Sequence, residues 1–297
     1  MGVDETVVWC DGRLVPPDAP VVRATDRGLT SGLGVYESLA VLDGRVFALT
    51  RHLERLAHSA RVVGVRLPGD GVLRGALEEV ARTGGWSYGR LRVTATAGPD
   101  NRMPEVGPDS RVPEVVGPDD DAPGVLVVTG SPARAVEQVD VVRVPWVRNE
   151  RSAVGGAKTV STADNQVAAR AAHRAGADEA VLANSRGELC ECTTSNVLVE
   201  TDDALLTPPL VSGCLGGVTR ALLLEWSAGW DVPVREETMP YAVLDDVAAG
   251  RAGLAVSSTL RTVVPVVRLD GQPVREAVLA RRARELFEAR RRDETDP

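Results

Sequence analysis

Gly187-Glu-Leu-Cys-Glu-Cys-Thr-Thr-Ser-Asn196 opens on a glycine turn and closes on a run of hydroxyl side chains. Between them, Cys190-Glu191-Cys192 has the two-residue period of a short strand, with both cysteines on one face and Glu191 on the other. Working outward, Glu179–Ala183 before the turn and Asn196–Glu200 after it carry the same apolar character, so three short strands are expected in succession. The paired cysteines do not make a zinc clamp, because zinc sites place two or more residues between them. The three histidines, His52, His58 and His173, also lie far from this stretch in sequence. No metal site is expected.

Upstream lies Lys158, the one lysine among 34 basic residues; every other is arginine. A chain that uses arginine wherever a positive charge suffices keeps lysine where arginine cannot serve. A nucleophilic amine is the sharpest such case, since a desolvated ammonium can lose its proton and form a Schiff base, whereas a guanidinium stays charged. A surface lysine that escaped replacement is the ordinary alternative, and the count alone leaves the two balanced.

The 297 residues suffice for about two domains, and 43% hydrophobic with 26% charged residues is the balance of a soluble globular protein. A net charge of −8 argues against nucleic acid as a general partner. The arginines between Arg281 and Arg292 alternate with Ala283, Leu286, Phe287 and Ala289, which reads as the solvated face of a terminal helix. Asp4, Glu5, Asp11 and Asp18 rule out a signal peptide in residues 1–20, and no apolar run approaches the ~20 residues of a membrane span. Four cysteines (Cys10, Cys190, Cys192, Cys214) fit a reducing cytoplasm. Scarce histidine argues against a Ser-His-Asp hydrolase, and Lys158 does not follow the glycine pattern of a nucleotide P-loop.

Strand-like runs at Thr6–Trp9, Tyr36–Leu42 and Arg45–Leu49 lead into helices from about Thr50 and from Asp70, the latter placed as an N-cap, to Arg82. A strand at Leu91–Ala97 precedes a stretch with the near-repeat Pro104–Asp109 and Pro113–Asp119, so 98–124 is expected to be a long mobile loop. Val125–Val128 resumes a strand. Beyond it are expected a strand at Asp140–Val147, a helix at Ala163–Ala175 ended by Gly176, a helix reaching Trp226, a short helix near Tyr241–Val247, strands at Leu254–Ser257 and Val263–Leu269, and the terminal helix. Strands and helices mix without regular βαβ alternation, which favours an α+β class. The expected domains are 1–129 and 136–297, joined by a linker at 130–135.

Gly216-Gly217-Val218-Thr219 opens a helix, where unpaired N–H groups and the positive helix end suit an anion. Ser257-Ser258-Thr259 at a strand end is a second cluster of donors, and Arg55 lies beside Leu53 and Leu56, where a guanidinium needs an anionic partner. Each feature alone is common.

Together, in order and at fitting separations, they resemble the class IV aminotransferase family, the fold-type IV enzymes of pyridoxal phosphate. The resemblance covers nearly the whole chain. It runs from Asp26-Arg-Gly-Leu-Thr-Ser-Gly-Leu-Gly-Val-Tyr-Glu-Ser38 through Thr50-Arg-His-Leu-Glu-Arg-Leu56, then from Lys158 by Gly176-Ala-Asp-Glu-Ala180 to Asn196, and on to Gly217-Val-Thr-Arg220 and Ser257-Ser-Thr259. It implies a two-domain α+β fold and pyridoxal 5'-phosphate carried on Lys158. It further implies Glu191 at the ring nitrogen, keeping it protonated so that the ring accepts electrons. Arg55, Gly217, Val218, Thr219, Ser258 and Thr259 would hold the phosphate, with Ser195 and Asn196 of the Glu-x-x-x-Ser-Asn motif beside the cofactor. Tyr36 matches an active-site tyrosine near cofactor or substrate; a half-buried core tyrosine is its bland counterpart.

The family divides into L-branched-chain aminotransferases, D-amino-acid aminotransferases and aminodeoxychorismate lyases. Arg102 resembles the loop arginine that holds a substrate carboxylate in the last two, with Arg90 and Arg92 on the strand before it as further candidates. The histidine that D-amino-acid aminotransferases carry two positions on is here Pro104. The usual Gly-Asp-Gly before the tyrosine is Gly32-Leu33-Gly34. The cysteine-flanked Glu191 and Ser212-Gly-Cys-Leu-Gly-Gly217 resemble the lyase branch, which implies conversion of 4-amino-4-deoxychorismate to 4-aminobenzoate and pyruvate. An aminotransferase for a small D-amino acid or a branched-chain L-amino acid is the alternative, and a silent cofactor-binding protein a third. The resemblance also implies a homodimer whose 98–124 loop reaches the partner's site.

Overall fold

A lone glutamate in an apolar alternation marks how the first half of the chain is built: Val35, Glu37, Leu39 and Val41 all point to the core, and all are buried. The computed structural model describes residues 6–99 and 124–297. They divide into two units, Met1–Arg134 with Ala157–Ser161 and Asp296–Pro297, and Ala135–Gly156 with Thr162–Thr295. The change of unit between Arg134 and Ala135 lies within the stretch 130–135, the first part of which is strand: the strand that opens at Leu126 carries on to Pro132. The expected 98–124 loop lies, from 100 to 123, outside the described residues.

The first unit contains β1 (Val7–Cys10), β2 (Arg13–Val15), α1 (Arg27–Thr30), β3 (Gly34–Leu42), β4 (Arg45–Val46), α2 (Leu49–Val63), α3 (Asp70–Gly84), β5 (Tyr88–Thr96) and β6 (Leu126–Pro132). The strands form one antiparallel sheet in the order β2-β1-β6-β5-β3-β4. Helix α2 buries Leu49, His52, Leu53, Leu56, Ser59 and Ala60, the stripe of a helix laid on a sheet, and stops where Gly64 turns left-handed at φ 76°. Helix α3 presents Leu73, Ala76, Leu77, Val80 and Ala81 to the same core. It starts one residue earlier than the sequence suggested: Gly69 is the N-cap, and Asp70 pairs with Arg74 one turn on. Strand β2 and helix α1 were not foreseen; runs this short carry no usable period.

The second unit contains β7 (Val139–Arg148), α4 (Ala163–Arg174), β8 (Glu179–Asn184), β9 (Leu189–Cys192), β10 (Asn196–Glu200), β11 (Leu205–Thr207), α5 (Val218–Trp226), β12 (Val234–Glu236), α6 (Val243–Ala248), β13 (Gly253–Ser258), β14 (Thr262–Leu269), β15 (Gln272–Pro273) and α7 (Val278–Asp293). Its sheet runs β12-β11-β10-β13-β14-β7-β8-β9, with β15 on β14, and mixes parallel with antiparallel pairs. Strands β8, β9 and β10 are buried at every position, as a sheet covered on both faces requires. The class is α+β. Among the described residues, no helix is long and apolar enough to cross a membrane, and no group of acids, histidines and cysteines could hold a metal ion.

Candidate active site

Lys158 is positioned in the first unit by its own backbone. Its N–H donates to Ser59 Oγ (2.9 Å), its carbonyl accepts from Tyr36 N–H (3.1 Å), and the next residue, Thr159, bridges Val35. This short segment lies so close to β3 that a Cβ on Gly34 would come within 2.9 Å of Ala95 O and 3.0 Å of Val160. Glycine there is a packing requirement, not a matter of backbone freedom.

Tyr36 and Thr94 are directly opposed across β3 and β5, as are Ser38 and Arg92, so these four side chains share the sheet face turned away from the core. The Lys158 ammonium lies 4.5 Å from the Tyr36 ring centre and the Arg92 guanidinium 3.7 Å from it. Two cations over one ring use its negative face. Arg92 also donates to Thr94 Oγ1 at 3.3 Å, and burial pulls its pKa below the usual arginine range, a trend Tyr36 opposes and Arg90 reinforces. Three expected site residues thus meet in one place.

Arg55 is on the other face. Its Nε and Nη2 donate to the two oxygens of Glu37, each at 2.7 Å, and Glu37 also receives His52 Nδ1 at 2.8 Å. Burial pushes the Glu37 carboxyl upward, but the Arg55 charge, its hydrogen bonds and His52 outweigh that and hold it at about 2. Burial lowers the His52 pKa; Glu37 opposes the shift, while Arg55 and Lys158 add to it. Neutral His52 therefore carries its proton on Nδ1, facing a carboxylate that can only accept.

In the second unit, Glu191 projects from β9 and is 8% exposed. One oxygen accepts the Leu215 N–H at 2.8 Å, and the other lies 2.9 Å from Arg148 Nε, an ion pair not aligned for a hydrogen bond. Arg148 is braced in turn by Asn165, whose amide donates to the Thr193 carbonyl. Asn196 donates to Leu215 O at 2.8 Å, so one turn residue ties together Glu191 and Asn196. Gly217 is the N-cap of α5 and supplies no side-chain cap. A Cβ there would sit 2.1 Å from Asn196 Oδ1. The first turn of α5, with buried Val218 and Thr219, is an uncapped positive helix end.

Ser258 and Thr259 close β13 at the turn into β14. Ser257, which the sequence argument passed over in favour of its neighbours, is paired with Asn196 across the sheet, and its hydroxyl is buried without a partner. The Ser195 hydroxyl is occupied differently from expectation: with Thr193, Thr194 and Arg261 it converges on buried Glu179. Arg102 lies outside the described residues. Glu37, His52 and Arg148 are the site neighbours that the sequence argument missed. An acid among core-facing strand positions and a basic residue on a buried helix stripe were the available signals for the first two.

Residues 34–269 match the family model described as amino-transferase class IV. Over 95% of both chains, the sequence is 28% identical to a D-alanine aminotransferase of Staphylococcus aureus. It is 30% identical to a bifunctional aminodeoxychorismate lyase / D-amino acid transaminase of Mycobacterium tuberculosis, covering 95% of this chain and 98% of that one. A fold IV-transaminase from Curtobacterium pusillum superposes with a TM-score of 0.79 at 26% identity, over 98% of this chain and 99% of that one.

The residues present fit pyridoxal phosphate, the cofactor of this class. A phosphate needs N–H donors and positive potential, which the uncapped α5 terminus offers. An orphaned Ser257 hydroxyl lacks the partner that a buried polar group requires. A ring nitrogen needs a fixed carboxylate, and Glu191 is held from two sides. An aldehyde needs an amine, and the sequence has one lysine. The chain belongs to the class IV aminotransferase family and is a pyridoxal-phosphate-dependent enzyme of fold type IV.

Proposed function

We propose that the enzyme is a lyase that converts 4-amino-4-deoxychorismate to 4-aminobenzoate and pyruvate. The observation that carries this reading is the polar face of β3 and β5. Arg92 lies stacked on Tyr36 with Arg90 two residues away on the same strand face, and among the described residues no carboxylate pairs with either arginine. A partly desolvated guanidinium calls for an anion, and this substrate carries two carboxylates where a small aliphatic amino acid carries one.

In this reading Lys158 would hold the cofactor through its side-chain amine. Arg55, Gly217, Val218, Thr219, Ser258 and Thr259 hold the phosphate, Glu191 holds the ring nitrogen, and Ser195 and Asn196 shape the turn between them. When bound, pyridoxal phosphate withdraws electrons from the carbon next to the substrate nitrogen. Lys158 Nζ takes the proton from C4 as that C–H bond breaks. The C–O bond to the enolpyruvyl group then breaks with its electron pair on oxygen, and the released enol gains a proton to become pyruvate. Tyr36 and Arg92 orient the substrate, and Arg102 is assigned a substrate carboxylate. The same proposal includes a cytoplasmic homodimer whose 98–124 loop serves the partner's site. Exposed Trp146, Val147, Leu210 and Val211 support a second copy as a neighbour.

Aminotransfer to or from a small D-amino acid is the second reading, favoured by the names of the staphylococcal and mycobacterial relatives. The third branch, branched-chain L-amino acids, offers these arginines no second carboxylate. One experiment separates them. The lyase yields 4-aminobenzoate and pyruvate in equal amounts with no keto acid added. Full conversion of the cofactor to its amine form by D-alanine or L-leucine, with 2-oxoglutarate restoring it at turnover rates, would refute the lyase and install the aminotransferase.

A further inference from the structure

The family resemblance assigns Arg55 to the cofactor phosphate, yet in the structure its guanidinium is already committed along one edge to buried Glu37. An arginine reserved only for phosphate would not need a bidentate carboxylate beneath it. Glu37 and His52 are both 0% exposed, and Arg55 is 12% exposed at its side chain, so the pair lies under the guanidinium while Arg55 alone reaches outward. His52 and Arg55 are three residues apart on α2 and so share its buried face. A buried ion pair with a third hydrogen-bonded member costs desolvation and brings little net stability. What it does bring is direction, because a forked guanidinium on a fixed carboxylate has one plane.

We propose that Glu37, braced by His52, is a positioning residue that sets the plane of Arg55 for the cofactor phosphate. The proposal rests on the phosphate role given to Arg55 above, and not on whether the reaction is elimination or aminotransfer. The group touching the phosphate is Arg55; Glu37 and His52 act through it. His52 is suited to this because it stays neutral and offers Nδ1–H, which leaves the Glu37–Arg55 pair as a balanced unit instead of adding a second buried cation.

The test compares cofactors with and without phosphate. The full-length enzyme is stripped of cofactor and reloaded with pyridoxal 5'-phosphate or with pyridoxal, and the dissociation constant of each is read from absorbance. Glu37→Gln should weaken pyridoxal phosphate about tenfold, the loss expected when one charge-assisted fork is replaced by a neutral amide. Its pyridoxal affinity should stay within about twofold, since only the phosphate feels Arg55. His52→Asn, whose amide nitrogen can take the place of Nδ1, should stay near the wild type, while His52→Leu should shift toward Glu37→Gln. Equal loss for both cofactors would show a merely structural pair and overturn the proposal, as would an unchanged affinity for pyridoxal phosphate. If Glu37→Gln does not fold, the His52→Asn and His52→Leu pair carries the same comparison. Arg55→Met separates the two levels: if it leaves pyridoxal phosphate binding intact, the phosphate role of Arg55 is wrong and the proposal falls with it. If Arg55→Met weakens binding and Glu37→Gln does not, only the positioning claim fails.

Discussion

Adding one methyl group at Gly217 should damage this enzyme more than its size suggests. The backbone there has φ −63° and ψ 135°, angles open to any residue, so strain is not the issue. The obstacle is Asn196 Oδ1, which would lie 2.1 Å from the new Cβ. An ordinary carbon–oxygen contact is over ~3 Å, so something must move by about 1 Å. Asn196 cannot swing freely, because its amide donates to Leu215 O at 2.8 Å and the residue is buried. Either that bond is lost or the first turn of α5 shifts. Overpacking of this kind costs about 1–3 kcal/mol, equivalent to about 5- to 150-fold in an equilibrium constant. Gly217→Ala should therefore lower the urea-unfolding free energy of the cofactor-free protein by about 1–2 kcal/mol. It should also weaken pyridoxal phosphate by at least about tenfold, because the N–H groups proposed for the phosphate move with the helix. Asn196→Ala in the same chain removes the clash, so the double variant should be more stable than the sum of the two single losses. A Gly217→Ala protein with wild-type stability and cofactor affinity would refute the reasoning. So would strict additivity in the cycle.

Two further outcomes follow from the site. Borohydride reduction of the loaded enzyme should fix the cofactor on Lys158 alone; Lys158→Ala and Lys158→Arg should both fail to be labelled, while Glu191→Gln should take up label yet turn over far more slowly; labelling of either lysine variant would contradict the assignment. Acid stability gives the other outcome. Glu37 has its carboxyl lowered from 4.5 to about 2, so its contribution is whole above the ordinary value and is lost as pH falls through the folded one. That pH-dependent part of the stability is present at neutral pH and fades between about pH 4.5 and pH 2. Unfolding curves over that window should be steeper in the wild type than in Glu37→Gln; parallel curves would remove Glu37 from the account.

Most of the fold could be read because most elements carry their period in plain view. The stripe Leu49, Leu53, Leu56 and Ala60 announces α2, and the apolar runs of β8 and β10 announce covered strands. Where the period is too short to register, as in β2, α1 and β15, nothing was foreseen. The candidate site was proposed from residue type and spacing: Lys158, Glu191, Gly217 and Arg55 each have the chemistry that the family resemblance asks of their positions. What spacing cannot convey is which partner a side chain takes. Ser195 looked free for a cofactor and is taken up by Glu179, a carboxylate sixteen residues away in sequence. Arg55 looked like a lone phosphate ligand and has a buried carboxylate behind it. Arg148 ends a strand of ordinary appearance, and only the register of the sheet brings it to Glu191. The return of Ala157–Ser161 to the first unit was invisible for a related reason. The hydrogen bonds that assign Ala157–Ser161 to the first unit are made to β3 and α2, far away along the chain.

That five-residue segment has an implication for modularity. The polypeptide enters the second unit after Arg134, returns to the first for Ala157–Ser161, and goes back again, so Lys158 is held by Ser59, 99 positions earlier in the chain, and by Tyr36, earlier still. A fragment ending at Arg134 would lack the lysine altogether, and one beginning at Ala135 would carry the lysine without Ser59, Val35 and Tyr36, the residues that hold it. Neither half can be shuffled, swapped or inherited alone with Lys158 kept against the residues that hold it. In such a gene, recombination at the apparent domain border would break the enzyme, and diversity of reaction must accumulate by substitution on an undivided frame.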